Sequence, residues 1–180
     1  MGQGRAEDHL AAEQLRSPAS GPVREATDEL PDTYERIMQL PEQWKFKQDR
    51  MVIGDKERWF AVDHDDSGWQ SIRVGEFWDK QGYPDYDGAA WYRLNVKLPA
   101  ALSGKKTELW FRAADESAKV YINGDLAGEY DIGPQGWDKP FAIDITKQVR
   151  PGRQNLIAVR VIDTDRAGGL WKPVSVVTPK

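Results

Sequence analysis

Cysteine is absent from this sequence of 180 residues, and histidine occurs only as His9 and His64. The lack of cysteine excludes disulfide bonds, thiolate metal ligands and a cysteine nucleophile, and two histidines are too few for an imidazole-rich zinc site. No apolar run approaches the ~20 residues that cross a bilayer, so we expect no membrane partner. The 25 lysines and arginines are outnumbered by 29 aspartates and glutamates, which argues against a nucleic-acid partner.

Aromatic residues, in contrast, are abundant, with eight tryptophans, six tyrosines and five phenylalanines. The length is that of one domain with a tail. A core of that size needs less aromatic surface than this, so the surplus favours recognition of a ligand by ring stacking.

The first segment, residues 1–35, is predicted to be a disordered or weakly helical tail or linker, and 36–180 to be the domain. No aromatic residue precedes Tyr34, and the segment is rich in Ala, Glu, Arg, Ser and Pro. Such a composition cannot bury enough apolar area to offset its ordering entropy. Residues 6–16 could form a transient helix. No basic start followed by an apolar run, as in a secretory signal, is present.

From Leu40 onward the sequence predicts about eight antiparallel strands with long loops, the pattern of an all-β jelly-roll sandwich. In the clearest strand, 91–98, every second residue from Tyr92 to Leu98 is apolar, while Trp91, Arg93 and two polar residues face the other side. Asn123-Gly124 is typical of a tight type I′ hairpin. The one helix-like segment predicted in this region is a short turn at 55–60.

Five pieces of sequence then carry a family resemblance: 65–69 (DDSGW), 85–93 (DYDGAAWYR), 115–124 (DESAKVYING), 140–146 (PFAIDIT) and 155–161 (NLIAVRV). In this order they resemble the galactose-binding-like jelly-roll module of glycoside hydrolase family 2 proteins, the sugar-binding domain of β-galactosidases and β-glucuronidases. They are also similar to the jelly-roll module of sialate O-acetylesterases. The resemblance covers about Leu40 to Pro179 and implies a carbohydrate ligand, a neighbouring catalytic domain and an extracellular or periplasmic location.

Catalytic residues are not predicted. A retaining glycosidase needs two carboxylates ~5–5.5 Å apart in a rigid pocket, and the family resemblance places these on a large barrel domain for which this chain has no room. No G-x-S-x-G elbow supports a serine esterase, and His64 lies in the acidic, turn-like run 63–66. We therefore expect a non-catalytic carbohydrate-binding module. The alternative is a structural module that supports a neighbouring glycosidase or esterase domain without sugar affinity.

Three loops, 75–87, 133–139 and 163–172, each place a tryptophan beside charged residues. A sugar site pairs a stacking ring with groups that bond hydroxyls, so these loops are the predicted binding site. The candidate ligand-binding residues are Trp78, Tyr83, Asp85, Tyr86, Asp87, Trp137, Asp138, Asp163, Asp165 and Trp171. The alternative is that the rings pack loop against loop as small cores.

A second candidate surface is an outward row of Trp91, Arg93, Trp110, Arg112 and Tyr121. If the row is open, it forms a cation–π platform for an extended glycan, and Trp91 and Arg93 join the candidate ligand-binding residues. We favour the covered alternative, in which the row is a second core face or an interface.

No cofactor is required by the sequence, although the resemblance to this fold implies a structural Ca²⁺ as an option. The acidic loops could supply the six to eight oxygens that Ca²⁺ takes. Because no EF-hand-like spacing is present, no ligands are assigned.

Overall fold

Two antiparallel β-sheets face each other across one core in the computed structural model, which describes residues 23–180. Core side chains come from both sheets, for example Tyr92 and Val159 from one and Leu109 and Phe111 from the other. The predicted all-β sandwich is confirmed. Among the described residues, no helix combines the length and apolar character needed to cross a membrane.

The described residues form eleven strands: β1 (Val23–Glu25), β2 (Tyr34–Gln39), β3 (Gln43–Gln48), β4 (Gln70–Arg73), β5 (Gly88–Lys97), β6 (Glu108–Phe111), β7 (Ser117–Ile122), β8 (Asp125–Asp131), β9 (Phe141–Asp144), β10 (Gln154–Asp163) and β11 (Val174–Pro179). One sheet has the order β1-β9-β6-β11-β2, and the other β4-β3-β5-β10-β7-β8. Short 3₁₀ helices occur at Trp78–Gln81, Ala100–Leu102 and Gly133–Gly136.

The predicted alternation along β5 is confirmed. Tyr92 and Leu94 enter the main core, whereas Trp91 lies on the outer face in a separate cluster. Strand β10 pairs with β5 along its whole length, from Gln154 opposite Lys97 to Asp163 opposite Gly88. This register places the end of β10 and the start of β5 at the same end of the sandwich.

The aromatic side chains of the outward row, Trp91, Trp110 and Tyr121, are covered, as the favoured alternative predicted. On the six-stranded sheet, Trp91 and Tyr121 pack under Trp59 and Trp69 of an outer layer formed by residues 49–69. On the five-stranded sheet, Trp110 packs with Ala26, Leu30 and Tyr34. The idea that the Trp-x-Arg pairs of β5 and β6 share one face is wrong, because these strands belong to different sheets.

The sandwich already includes part of the segment assigned to the tail. Val23–Glu25 pairs with β9, and the Arg24 guanidinium contacts the buried Glu108 carboxylate at 2.5 Å. A strand of three residues is too short to show periodicity, so no sequence pattern predicts it. The predictions for residues 1–22, including the transient helix, lie outside the described residues.

The segment 55–60, where a short turn was expected, consists of consecutive hydrogen-bonded turns. The Glu57 N–H donates to the Ile53 carbonyl at 2.8 Å, as in a helix. Arg58, however, has a φ of +53°, a left-handed conformation that an α-helix cannot contain.

Candidate functional site

The three tryptophan-bearing loops emerge together at one end of the sandwich, here called the loop end. They precede β5, follow β8 and follow β10, and strand register brings these strand ends side by side. Contacts then join the loops: the Gly168 N–H donates to Asp79 Oδ2 at 2.9 Å, and Trp171 Nε1 donates to the Trp137 carbonyl at 2.8 Å. The three predicted loops therefore lie side by side at the loop end.

Three aromatic rings from these loops form a continuous stack. Trp171 lies in the middle, with its ring centroid 4.9 Å from Phe77 and 5.5 Å from Trp137, and both pairs are tilted by only 17°. Trp137 ends the stack and is 47% exposed. The stack therefore fixes Trp137 from behind and leaves part of its ring accessible.

A cleft of about 350 Å³ opens beside this stack. It is lined by Phe77, Asp115, Glu116, Pro134, Trp137, Asp165, Arg166 and Ala167. Apolar rings with a few convergent polar groups are the usual composition of a small-molecule site. We call it the loop-end cleft.

Beneath the cleft, three carboxylates come together. Asp115 and Glu116 lead into β7, and Asp163 ends β10 next to them; one oxygen from each lies within 4.8 Å of the others. Burial raises the pKa of Asp115 to about 8, and the neighbouring charge of Glu116 adds to the shift. Burial raises the pKa of Asp163 to about 9, reinforced by Asp115. Each group disfavours ionisation of the next because the site is poorly solvated.

Local backbone geometry holds these acids in place. Glu116 has a φ of +50°, an uncommon conformation for a residue with a side chain, and the Thr164 hydroxyl donates to its carboxylate at 2.7 Å. Opposite them, a Cβ on Gly168 would lie 2.2 Å from the Trp78 ring and 2.6 Å from Asp163 Oδ2. Only glycine lets the third loop pass this close to the cluster.

Comparison with known proteins identifies the family of this domain. Residues 37–178 match the family described as glycosyl hydrolases family 2, sugar binding domain. The chain belongs to this family. The predicted family 2 resemblance is thereby confirmed, while the similarity to sialate O-acetylesterases stays a prediction.

Curated relatives of this sugar-binding domain are glycosidases. The chain is 40% identical over 78 residues to a β-galactosidase of Thermoanaerobacter pseudethanolicus, and this match covers 43% of the chain and 10% of that protein. It is 33% identical over 131 residues to a β-glucuronidase of Formosa agariphila, covering 66% and 12% respectively. A β-glucuronidase of Paenibacillus borealis is 29% identical over 133 residues, covering 72% and 22%. The chain thus spans from about a tenth to about a fifth of these relatives.

Among solved structures, the domain is similar to the β-glucuronidase of Ruminococcus gnavus in complex with D-glucaro 1,5-lactone. The TM-score is 0.72 at 21% identity, and the match covers 86% of this chain and 30% of that one. At this identity, the likeness establishes the sandwich fold of the sugar-binding domain.

Four of the predicted ligand-binding side chains of this domain are structural. Trp78, Tyr86, Trp91 and Arg93 are each at most 2% exposed, and none of them lines the loop-end cleft. Trp78 Nε1 donates to the Tyr86 carbonyl at 3.1 Å inside the main core. Arg93 donates to Asp66 at 2.7 Å and thereby ties the outer layer to the sheet.

The remaining predicted residues divide by position. Trp137 and Asp165 line the cleft, and Trp171 supports Trp137. Asp87 and Asp163 are both buried. Of the two, Asp163 lies beneath the cleft, next to Asp115 and Glu116. The last three lie off the cleft lining: Asp85 is exposed, Asp138 pairs with Lys139 at 3.0 Å, and Tyr83 packs 4.7 Å from Phe46.

Sequence reasoning missed six residues of the cleft lining: Phe77, Asp115, Glu116 and Arg166, together with Pro134 and Ala167. Phe77 precedes Trp78, and the sequence offers no means to decide which of the two adjacent rings turns inward. Asp115 and Glu116 belong to the motif 115–124 that carries the family resemblance, and neither is among the predicted ligand-binding residues. Their register with the end of β10 is the signal that identifies them, and it exists only in three dimensions.

Proposed function

We propose that this sugar-binding domain is a non-catalytic module that holds a mono- or oligosaccharide in the loop-end cleft, alongside a glycoside hydrolase catalytic domain. The observation that carries the proposal is the half-exposed Trp137 ring beside Asp115, Glu116 and Asp165 in one cleft. Family membership supports the ligand class, and the names of the curated relatives support the attached hydrolase.

The cleft residues suit the two kinds of surface that a sugar presents. The apolar C–H face stacks on the Trp137 ring, which Trp171 holds in place, so little ordering entropy is lost on binding. Hydroxyl groups donate to the exposed Asp165, a bond that contributes ~1.5–3 kcal/mol before ordering costs. Stacking adds about 1–2 kcal/mol. After the cost of association, we expect micromolar-to-millimolar affinity.

A second candidate function is support of a neighbouring catalytic domain without sugar affinity. The burial of Trp78, Tyr86 and Trp91 favours it, because these rings stabilise the sandwich and are unavailable to a ligand. In that case Trp137 serves as a contact between domains, since a half-exposed ring on a rigid stack also fits a protein interface.

The two functions are separated by a glycan array on the purified chain, followed by calorimetric titration of the best ligand. We expect Trp137→Ala to weaken binding roughly tenfold, because the stacking surface is removed. Met51→Ala, a change at an exposed apolar residue outside the cleft lining, serves as the control and should leave affinity unchanged. Absence of binding to any glycan, or equal affinity of Trp137→Ala and wild type, contradicts sugar binding in this cleft and favours the supporting role.

A further inference from the structure

The three carboxylates beneath the cleft are buried, unlike the exposed acidic clusters that are common on protein surfaces. Asp115, Glu116 and Asp163 are 3%, 2% and 0% exposed. Isolated ionised carboxylates are strongly disfavoured in such surroundings unless a cation or hydrogen-bond donors compensate them. The cluster therefore requires a cation or hydrogen-bond donors that compensate its negative charge.

Asp163 has an acceptor that the described residues leave unsatisfied. Its Oδ1 atom accepts the Asp165 N–H at 3.0 Å, but Oδ2 receives no hydrogen bond from residues 23–180 although the side chain is fully buried. Buried carboxylate oxygens without a partner are rare in native proteins. This oxygen therefore indicates a ligand that is not part of the described chain.

The charges around the cluster point the same way. Within residues 23–180, no lysine or arginine forms an ion pair with Asp115 or Asp163. The other charged groups that act on Asp115 are acidic, Glu116, Asp79 and Asp87. Arg166 lines the cleft, but its side chain is 89% exposed and pairs with Asp165 at 3.5 Å. The described cations do not compensate these two acids.

We propose that Asp115, Glu116 and Asp163 hold a divalent cation at the base of the loop-end cleft, and that Ca²⁺ is the ion that fits. All three donors are hard oxygens, which Ca²⁺ binds at ~2.3–2.6 Å. Two oxygens on opposite sides of one Ca²⁺ are thus up to about 5 Å apart, and the three oxygens here lie within 4.8 Å of one another. Mg²⁺, with ~2.0–2.1 Å bonds, needs a tighter set.

The surroundings supply the rest of such a site. Asp115 and Glu116 also line the cleft, so water can complete the coordination from that side. The Thr164 hydroxyl, 2.7 Å and 2.9 Å from the two Glu116 oxygens, orients that carboxylate from behind. The cation would hold together two walls of the cleft. Cation binding requires no sugar, so the test of this site is independent of the proposed function.

The test uses the full chain after treatment with a chelating resin, with CaCl₂ alone as the probe and no sugar present. We expect calorimetry to give saturable binding to one site. At ~100 times Kd, CaCl₂ should raise Tm by roughly 5–10 °C, and NaCl at equal ionic strength should not. MgCl₂ should bind at least tenfold more weakly. No saturable heat and no Tm shift with CaCl₂ overturn the proposal, and Mg²⁺ binding as tight as Ca²⁺ overturns the choice of ion.

Matched variants assign the ligands. Asp163→Asn and Glu116→Gln should each weaken Ca²⁺ binding at least tenfold and remove the Ca²⁺-dependent rise in Tm. Asp138→Asn, at a loop-end carboxylate outside the cluster, is the control and should bind Ca²⁺ as wild type does. If Asp163→Asn does not fold, Glu116→Gln decides the assignment. Wild-type affinity in both cluster variants overturns it.

Discussion

Tryptophans lie beside charged side chains in two regions, the outer layer formed by residues 49–69 and the loop-end cleft. The exposure of these tryptophans is opposite in the two regions. In the outer layer, Trp59 and Trp69 are buried against Trp91. At the loop end, Trp137 lies on a stack of rings and remains 47% exposed. A tryptophan near charges in the sequence is therefore compatible with a sealed layer as well as with a binding surface.

The acids of the two regions also differ, because their pKa values are shifted in opposite directions. In the outer layer, burial would raise the pKa of Asp55, but the Arg160 charge and hydrogen bonds from Tyr121 and Lys119 lower it overall. Beneath the cleft, burial and neighbouring acids raise the pKa of Asp115 to about 8. In the outer layer an opposite charge compensates the half-buried Asp55, whereas within residues 23–180 no lysine or arginine forms an ion pair with Asp115.

The largest expected difference between the two regions is in stability after loss of an indole. Trp91 is fully buried and its Nε1 donates to Asp49 at 3.1 Å, so Trp91→Ala should lower the free energy of unfolding by about 3–5 kcal/mol. Trp137→Ala should lower it by only about 1 kcal/mol, the worth of one ring stack. Urea denaturation of both variants measures the difference. Equal losses would contradict the distinction between sealed layer and binding surface.

A smaller difference is expected for the arginines of the two regions. Arg93 donates to Asp66 and to the carbonyls of Trp59 and Ala61. Arg93→Met keeps the length of the side chain but leaves these acceptors unsatisfied, and should cost about 3 kcal/mol.

Arg166→Met, at the exposed cleft arginine, is the matched control and should stay within ~0.5 kcal/mol of wild type. Chemical denaturation at neutral pH compares the two. A loss at Arg93 no larger than at Arg166 would show that the outer layer does not depend on this arginine.

The smallest effect is the pH dependence of the outer layer. Because the pKa of Asp55 is lowered from its usual 3.8, its ion pair contributes stability above about pH 4, and this is lost as pH falls through the folded-state pKa. Asp55→Asn should therefore differ most from wild type at neutral pH and converge with it in acid. Urea midpoints between pH 7 and pH 3 test this, with Asp125→Asn, at an exposed residue, as control. A constant gap across that range would contradict it.

Much of the sandwich could be predicted because β5, β6 and β10 alternate clearly, and their inner and outer faces follow from the period of two. The parts that were missed are short or at the edges of sheets. β1 has three residues, and β4 contains a single apolar residue, Ile72, so neither strand shows an alternating pattern. The arrangement of β5 and β6 in separate sheets also could not be deduced, because it depends on long-range pairing.

The candidate site was predicted at the level of loops and less well at the level of residues. All three loops do meet at one end. The composition of a loop does not show whether a ring points into the core or toward solvent, so the buried Trp78 and the accessible Trp137 could not be told apart. Glu116 was overlooked for a related reason: its position beside Asp163 arises from the neighbouring strands β7 and β10. Pairing between distant strands built this site.

The place of β11 in the five-stranded sheet bears on how the protein folds during synthesis. β11 lies between β6 and β2 and brings Tyr34 beside Pro179. One edge each of β2 and β6 therefore remains open until residues 174–179 have left the ribosome. Contacts so distant along the chain make folding slow, and open strand edges invite pairing with other chains. The interval before β11 arrives is when a nascent chain is most prone to aggregate.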